Sequence, residues 1–527
     1  MFVRRRKNKS GTVSVHIVDK SDGVYKLVKS VGSAGNDAEI EQLVRKAESE
    51  LLPSYENQIP LFCSVLPGDI TVKNFLENLE NSNIRTIGPE LIFGTLFDRI
   101  GFNAIKDELF RHLVVARLAY PTSKLKTVDY LYRYQGTVTN EDAIYRFLDT
   151  LNEKYKTEVE KIAFDHTKKI LSTITVVFYD MTTLYFETED EDDLRKIGFS
   201  KDGKFQCPQI MIGLLVGEGG YPIGYDVFEG NTFEGKTLVP VLEGISKKYE
   251  LGKPVVVADA AMLSKANVKE LQDKGYTFIV GGRIKNETDT VKEKILEKSL
   301  KADGDSCEVI RGDGTRLIVT YKENRAKKDA HNRKKGLKKL RTKVETGKLT
   351  KTSITNRGYN KFLSLDGEIV VTINEEKVEA DKVWDGLKGY VTNTKLPYEK
   401  VIEHYGHLWQ IEKAFRISKT DLRIRPIYHY RRSRIEAHLT IAFTAYCIWK
   451  KLELLLNENK IYMSPKRAGE LTHTMYAIDY TLPQSKQISR QILKMDAEQV
   501  DLYEVIHSQK QTHQSKNDEK LPPVDIE

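Results

Sequence analysis

Hydrophobic positions along this chain change period several times, and each change marks a new element or domain. Across residues 2–31 apolar and polar residues alternate: Val13, Val15 and Ile17 share one face, a turn follows at Ser21-Asp22-Gly23, then come Tyr25, Leu27 and Val31. A period of two predicts a small antiparallel β unit. A helix is expected over 37–51. From 89 to 169 the pattern turns helical, punctuated by Pro89, Pro121 and Gly136. Asn140 reads as an N-cap before Glu141-Asp142, and the run from Leu109 to Leu118 is apolar enough to join a packed helical layer.

The character changes at 171. Thr173 to Asp180 (TITVVFYD) is a continuous β-branched and aromatic run, as expected of a strand buried on both faces. Gln209 to Val216 and Pro222 to Glu229 are two further strands, joined as a hairpin through Gly217-Glu218-Gly219-Gly220. No helix follows that glycine cluster, so it is not a phosphate cradle. Pro254 to Asp259 (PVVVAD) is another apolar strand; a helix capped by Ser264 and closed near Gly275 leads to a fifth, Tyr276 to Val280. This order predicts an α/β mixed sheet. The pattern breaks over 283–386, a polar stretch with short strands at 316–321 and 368–373, and resumes with Lys388 to Thr394. The broken stretch reads as a basic, β-rich insertion. Ile435 to Leu456 is the most apolar helix, but it contains Glu436, His438, Lys450, Lys451 and Glu453, so it reads as buried rather than membrane-spanning.

A chain of 527 residues implies several domains. The expected divisions are a small β/α unit over 1–85, a helical region over 86–170, a core split between 171–282 and 387–460 by the insertion, C-terminal helices over 461–507 and a disordered tail over 508–527. Four scattered cysteines offer no zinc or disulfide pattern and fit a reducing compartment, and the charged N-terminus has no apolar segment behind it to read as a signal peptide. Net charge is +8, but residues 321–361 hold fifteen Lys or Arg against three Asp or Glu, a local +12. A block of that size points to a polyanion, nucleic acid first. The basic arm Arg4-Arg5-Arg6-Lys7 has the same two readings as any such run, a solvated face or a DNA contact. The helical layer, similarly, could pack on the neighbouring core or on DNA.

Two acids, Asp180 and Asp259, close the two most apolar strands. A third, Glu412, lies between Leu408 and Phe415 in a stretch from Pro397 to Pro426 that reads as a helix, with Tyr405, Glu412 and Lys419 seven residues apart along one side and Arg416 one turn beyond. Taken singly, these are turn residues and a Glu412–Arg416 surface ion pair. Taken together, three converging carboxylates repel one another unless a cation sits among them. Oxygen-only ligands select Mg²⁺ or Mn²⁺, and two such ions can drive phosphoryl transfer.

The chain resembles DDE-type bacterial insertion-sequence transposases of the cut-and-paste group. The matching residues are Tyr179-Asp180-Met181-Thr182-Thr183, Val257-Ala258-Asp259-Ala260, and a Tyr-Arg-Glu-Lys signature helix in which Tyr405, Glu412 and Lys419 fall in register. Leu408 stands where that signature has Arg, and Arg416 or His407 is available to substitute. The resemblance covers roughly 100–450. It implies a ribonuclease H-like core, Asp180, Asp259 and Glu412 holding two Mg²⁺ or Mn²⁺ ions, and Tyr405 and Lys419 on the backbone of the element end. It further implies DNA contacts at Arg283 and Lys285, an unstacked end base held by Trp384, and phosphates tracked by the run containing Arg333, Lys334, Lys335, Lys338 and Lys339. The implied partners are double-stranded element-end and target DNA and a second copy of the chain, in a bacterial cytoplasmic, nucleoid-associated setting with no membrane. A non-catalytic DNA-binding protein and a ribonuclease H-like nuclease without strand joining are the alternative readings.

Overall fold

The computed structural model describes residues 1–20, 23–51, 67–200, 203–260, 264–346, 349, 351–355, 358–366, 370–482 and 485–508. The tail expected to be disordered lies, from 509 onward, outside the described residues, as do Ser21 and Asp22 of the expected turn. The chain divides into two compact units, 1–83 with 479–490, and 84–478 with 491–527.

In the smaller unit β1 (Phe2–Lys7), β2 (Val13–Asp19) and β3 (Lys26–Ala34) form an antiparallel sheet. Helix α1 (Asp37–Leu51) covers it, burying Ile40, Val44 and Ala47 against Val15, Ile17 and Ala34. The basic arm is the edge strand β1, its Arg5 paired with Glu41 at 2.8 Å. A further helix, α2 (Pro67–Glu77), belongs to the same unit.

The larger unit begins with β4 (Ile84–Thr86) and the helices α3 (Thr95–Ile100), α4 (Glu108–Ala119), α5 (Lys124–Tyr130), α6 (Glu141–Thr150) and α7 (Lys156–Leu171). Asn140 caps α6 by accepting from Ala143 N at 2.8 Å. The sheet follows with β5 (Val176–Tyr185), β6 (Gln209–Gly217) and β7 (Pro222–Glu229), then α8 (Leu238–Tyr249), β8 (Val255–Ala258), α9 (Lys265–Asp273), β9 (Phe278–Gly282), α10 (Asp289–Glu297), β10 (Ser306–Ile310) and β11 (Arg316–Tyr321). Next come α11 (Glu323–Glu345), β12 (Leu363–Asp366), β13 (Val370–Ile373) and α12 (Glu375–Lys382). The unit closes with β14 (Leu387–Thr392), α13 (Tyr398–Gly406), α14 (Trp409–Arg416), α15 (Arg432–Glu458), α16 (Pro465–Thr472), the first three residues of β15 (Tyr476–Thr481) and α17 (Ala497–His507).

Eight strands make one mixed sheet in the order β10-β11-β14-β9-β8-β5-β6-β7. Pairing is parallel where β5 meets β8 and β8 meets β9, and antiparallel elsewhere. Gly219 and Gly220, at φ 74° and 76°, turn the chain between β6 and β7 as a hairpin requires. Alternate residues feed two cores. Val176, Phe178, Val257 and Ile279 face a layer built from α13, α14, α15 and the helical region, while Val177, Tyr179, Val256 and Phe278 face α8 and α9. The helical layer therefore packs on the core: Leu113 and Val114 of α4 are buried in the same cluster as Ala437, Ile441 and Ile448 of α15.

Three expectations change. Strand β11 and its partner β10 belong to the main sheet, so the true interruption runs only from 322 to 386. Among its described residues that interruption is mainly helical rather than β-rich: it carries the 23-residue helix α11 beside the small β12–β13 hairpin and α12, and residues 368 and 369 of the strand expected there lie outside the described residues. Its Lys/Arg run conceals a helical stripe, Leu337, Leu340 and Val344, that packs on Phe362, Leu363 and Val378. The region 461–507 holds strands as well as helices, with Tyr476, Ala477 and Ile478 pairing to Thr86, Arg85 and Ile84.

Candidate active site

Strand β5 is longer than the sequence pattern indicates, so Asp180 sits at its middle rather than at its end. Strand β8 ends at Ala258, which is the register partner of Tyr179. One further residue on each strand gives Asp180 beside Asp259, at the point where β8 stops and β5 continues paired only to β6. Both acids have the parity of Phe178 and Val257, so both face the layer that holds α13 and α14. Asp180 is half-buried and Asp259 exposed. Each accepts a hydrogen bond from the next backbone amide, Met181 N and Ala260 N, at 2.7 Å.

Helix α13 crosses β8, β9 and β14, and α14 crosses β5 and β6. Tyr405, on the last turn of α13, is buried and donates its hydroxyl to Asp259 Oδ1 at 3.1 Å. The space it fills exists because residue 281 of β9 is glycine: a Cβ there would meet the Tyr405 oxygen at 2.6 Å and Ala260 Cβ at 3.0 Å. Tyr390, opposite Gly281 on β14, meets the Tyr405 ring edge-on at 5.0 Å between centroids. Lys388, two residues earlier on the same face, places its Nζ over the Tyr405 ring at 4.4 Å.

Electrostatics tie these groups to Glu412. Burial, then the Asp259 carboxylate and its hydrogen bond, with a smaller contribution from Glu412, push the Tyr405 phenol well above its ordinary range. Burial and the charge of Arg325 draw the Lys388 ammonium down, while Asp259 and Glu412 act in the opposite direction. Lys388 is thus a cation within electrostatic reach of two of the three expected acids. Its parity with Tyr390 on a strand returning to a buried sheet was the signal available in the sequence; a Lys at the mouth of a strand otherwise reads as solvated.

The stretch carrying Glu412 is not one helix. It breaks at His407-Leu408 between α13 and α14, and a turn of wider helix over Ile417–Asp421 follows. Along it Tyr405 is buried against the sheet, Glu412 is exposed and Lys419 is half-buried. Leu408 is buried in the core, and Arg416 is exposed. Lys419 lines a small cavity with Thr182 and Phe415, so it approaches β5 two residues beyond Asp180. Among the described residues no three His, Cys, Asp or Glu side chains are gathered closely enough to hold a metal ion.

The expected DNA-contacting residues separate into two groups. A groove of about 650 Å³ runs along the interruption, lined by Arg283, Lys285 and Trp384 and reaching Lys388. Two cations in it are committed within the protein. Arg333 is 7 % exposed, with Nη1 donating to Asp385 Oδ1 at 2.6 Å and a second bond from Nη2 to the same carboxylate; Lys285 pairs with Asp381 at 2.7 Å. Lys334, Lys335, Lys338 and Lys339 are exposed along α11, where Lys335 and Lys339 line a second groove of about 550 Å³.

Residues 171–448, just over half of the chain, match the family model described as the transposase DDE domain. The chain belongs to that family. Over 165 residues this DDE-domain chain is 28% identical to the transposase for insertion sequence element IS231E of Bacillus thuringiensis subsp. finitimus, a match spanning 30% of this chain and 34% of that relative's length. Among solved structures the chain is similar to piggyBac transposase in a synaptic complex with hairpin DNA, at 11% identity and a TM-score of 0.37 over 69% of each chain. It is also similar to Mos1 transposase in a paired-end complex with its left transposon end, at 9% identity and a TM-score of 0.15 over 44% of this chain and 71% of that one. The matched DDE segment takes in Asp180, Asp259, Tyr405, Glu412 and Lys419. Among the described residues no helix is long and apolar enough to cross a membrane.

Proposed function

We propose that this DDE-domain chain is an insertion-sequence transposase that cuts the ends of its element by phosphodiester hydrolysis and joins the freed 3′ ends to target DNA, within a ribonuclease H-like core. The observation that carries the reading is the register of β5 and β8. It sets Asp180 beside Asp259 on one face of the sheet, beneath the helix that leads to Glu412.

The donor set is all carboxylate oxygen, which suits a hard divalent cation. Asp180, Asp259 and Glu412 would hold two Mg²⁺ or Mn²⁺ ions, with Glu412 turning inward from α14; such ions activate an attacking water or 3′-hydroxyl and neutralise the leaving oxygen. The chain's own residues prepare that chemistry. Tyr405 orients Asp259 through its hydroxyl, and Gly281 admits it. Lys388 offers positive charge beside the phosphate path, and the groove carrying Arg283 and Trp384 leads away from it along the interruption. Lys334, Lys335, Lys338 and Lys339 would neutralise phosphates on the duplex. Two element ends are handled together by at least two copies of the chain.

The test is cleavage of labelled element-end duplex with Mn²⁺ by the parent and by Asp180→Asn, Asp259→Asn and Glu412→Gln. Loss of nicking in all three with DNA binding retained is expected. Undiminished nicking in any of them refutes its assigned role. Recovery of joined 3′ ends separates a transposase from a nuclease.

A further inference from the structure

A second cavity, of about 400 Å³, opens between α4, α5, α6 and the segment joining α14 to α15. Its wall is unusually cationic: five Lys or Arg line it against a single carboxylate, Glu141, whose Oε1 already accepts the Tyr145 hydroxyl at 2.7 Å. Four of the polar side chains are more than nine-tenths buried, Arg117 (5 % exposed), Lys124 (7 %), His429 (6 %) and His438 (5 %).

None of the four has an anionic partner among the described residues. Arg117 Nη1 donates only to two backbone carbonyls, Leu422 O at 3.4 Å and Arg423 O at 3.3 Å. Lys124 feels the like charge of Arg117, and burial together with that repulsion draws its ammonium well below the ordinary value. His438 Nε2 lies 3.0 Å from Ile424 O, and its buried Nδ1 has no partner. His429, packed edge-on against Tyr145, is pushed down to about 3 by burial and by the charges of Lys124 and Arg117. Two buried basic groups lining one cavity with no counter-charge are costly to keep charged. An anion in the cavity removes both the desolvation penalty and the repulsion. Arg with Lys is the pair best suited to phosphate oxygens.

We propose that this cavity binds a phosphate group, taken between Arg117 and Lys124, and that the group is the terminal phosphate of a nucleic-acid strand. A space of this size holds more than a bare inorganic anion. The exposed Tyr428 on its wall offers an aromatic face for the terminal nucleotide. The strand assignment rests on the nucleic-acid reading above; the phosphate assignment does not.

The experiment uses the full chain with two duplexes identical except for a 5′-phosphate or 5′-hydroxyl on one strand, and inorganic phosphate alone as a thermal-shift probe. The parent is expected to bind the phosphorylated duplex roughly tenfold more tightly, as one charge-assisted contact requires. Lys124→Met, which keeps the volume and removes the buried charge, abolishes that preference without lowering the melting temperature. Arg425→Gln, on the cavity wall, weakens it and guards against misfolding of the first variant. Equal binding of both duplexes by the parent, with no shift from inorganic phosphate, overturns the inference while leaving the transposase reading intact. A phosphate shift that Lys124→Met removes, with no preference between duplexes, supports the phosphate site and rejects the strand end. Absence of any DNA binding counts against the transposase reading alone, and the thermal shift then decides the cavity.

Discussion

Adding one methyl group at Gly281 tests the geometry around Asp259 most directly. The new Cβ would stand 2.6 Å from the Tyr405 hydroxyl oxygen and 3.0 Å from Ala260 Cβ, both inside ordinary van der Waals contact. Forcing a methyl into so close a space costs about 1–3 kcal/mol. Tyr405→Phe removes the hydrogen bond to Asp259 at 3.1 Å. Because Asp259 keeps access to water, its carboxylate is not orphaned, and the loss belongs at the low end, about 0.5–1.5 kcal/mol. The two changes are not independent. Removing the hydroxyl takes away the worst contact of the new methyl, so Gly281→Ala with Tyr405→Phe should be more stable than the sum of the single losses by about 1 kcal/mol, the remainder reflecting Ala260. Urea unfolding followed by tryptophan fluorescence reads this, since Trp384, Trp409 and Trp449 all lie in the larger unit. Additivity of the two losses within about 0.5 kcal/mol would refute the placement of the Tyr405 hydroxyl against Gly281.

Lys388→Met should leave the melting temperature unchanged or raised, because the ammonium is drawn down by burial, yet slow Mn²⁺-dependent nicking by roughly tenfold, about 1.4 kcal/mol; nicking at the parent rate would exclude Lys388 from the site. Reversing Lys334, Lys335, Lys338 and Lys339 to Glu should reduce the slope of log K against log[salt] for duplex DNA by up to about 3.6, and an unchanged slope would mean that α11 faces solvent in the complex. Hydrogen bonds from Arg434, against the opposing effect of burial, hold the Asp149 carboxyl below its ordinary value. With the folded value below the unfolded one, the pair's contribution is complete above about pH 5 and is lost as pH falls through the folded value. Arg434→Met should therefore lower the melting temperature at pH 7 and narrow its gap to the parent at pH 3; a constant gap would show that the pair does not titrate.

The sheet could be read from the sequence where strands are buried on both faces, because β-branched runs such as that of β5 and β8 have few other uses. The Gly217–Gly220 turn was legible for the same local reason. What the sequence did not disclose depends on pairing across long separations. Strands β10 and β11 look like parts of a polar insertion until β14 returns to pair with β11. Helix α11 is apolar on only a narrow stripe, and its lysines dominate the pattern. The break after Gly406 leaves no strong mark, since His407 and Leu408 are both compatible with helix. Of the expected site residues, Asp180 and Asp259 are adjacent in register, and Tyr405 joins Asp259. Arg333 and Lys285 have internal carboxylate partners that lie about fifty and a hundred residues further along the chain, beyond any local pattern.

The interruption departs from the sheet after Tyr321 and returns at Leu387, and those two residues are direct partners on β11 and β14. Topologically it is an oversized hairpin loop. A two-residue turn could span the same gap, so the stretch that carries α11 is a detachable attachment rather than a structural necessity. Lengthening, shortening or exchanging it would change what the protein grips without shifting the register that sets Asp180 beside Asp259.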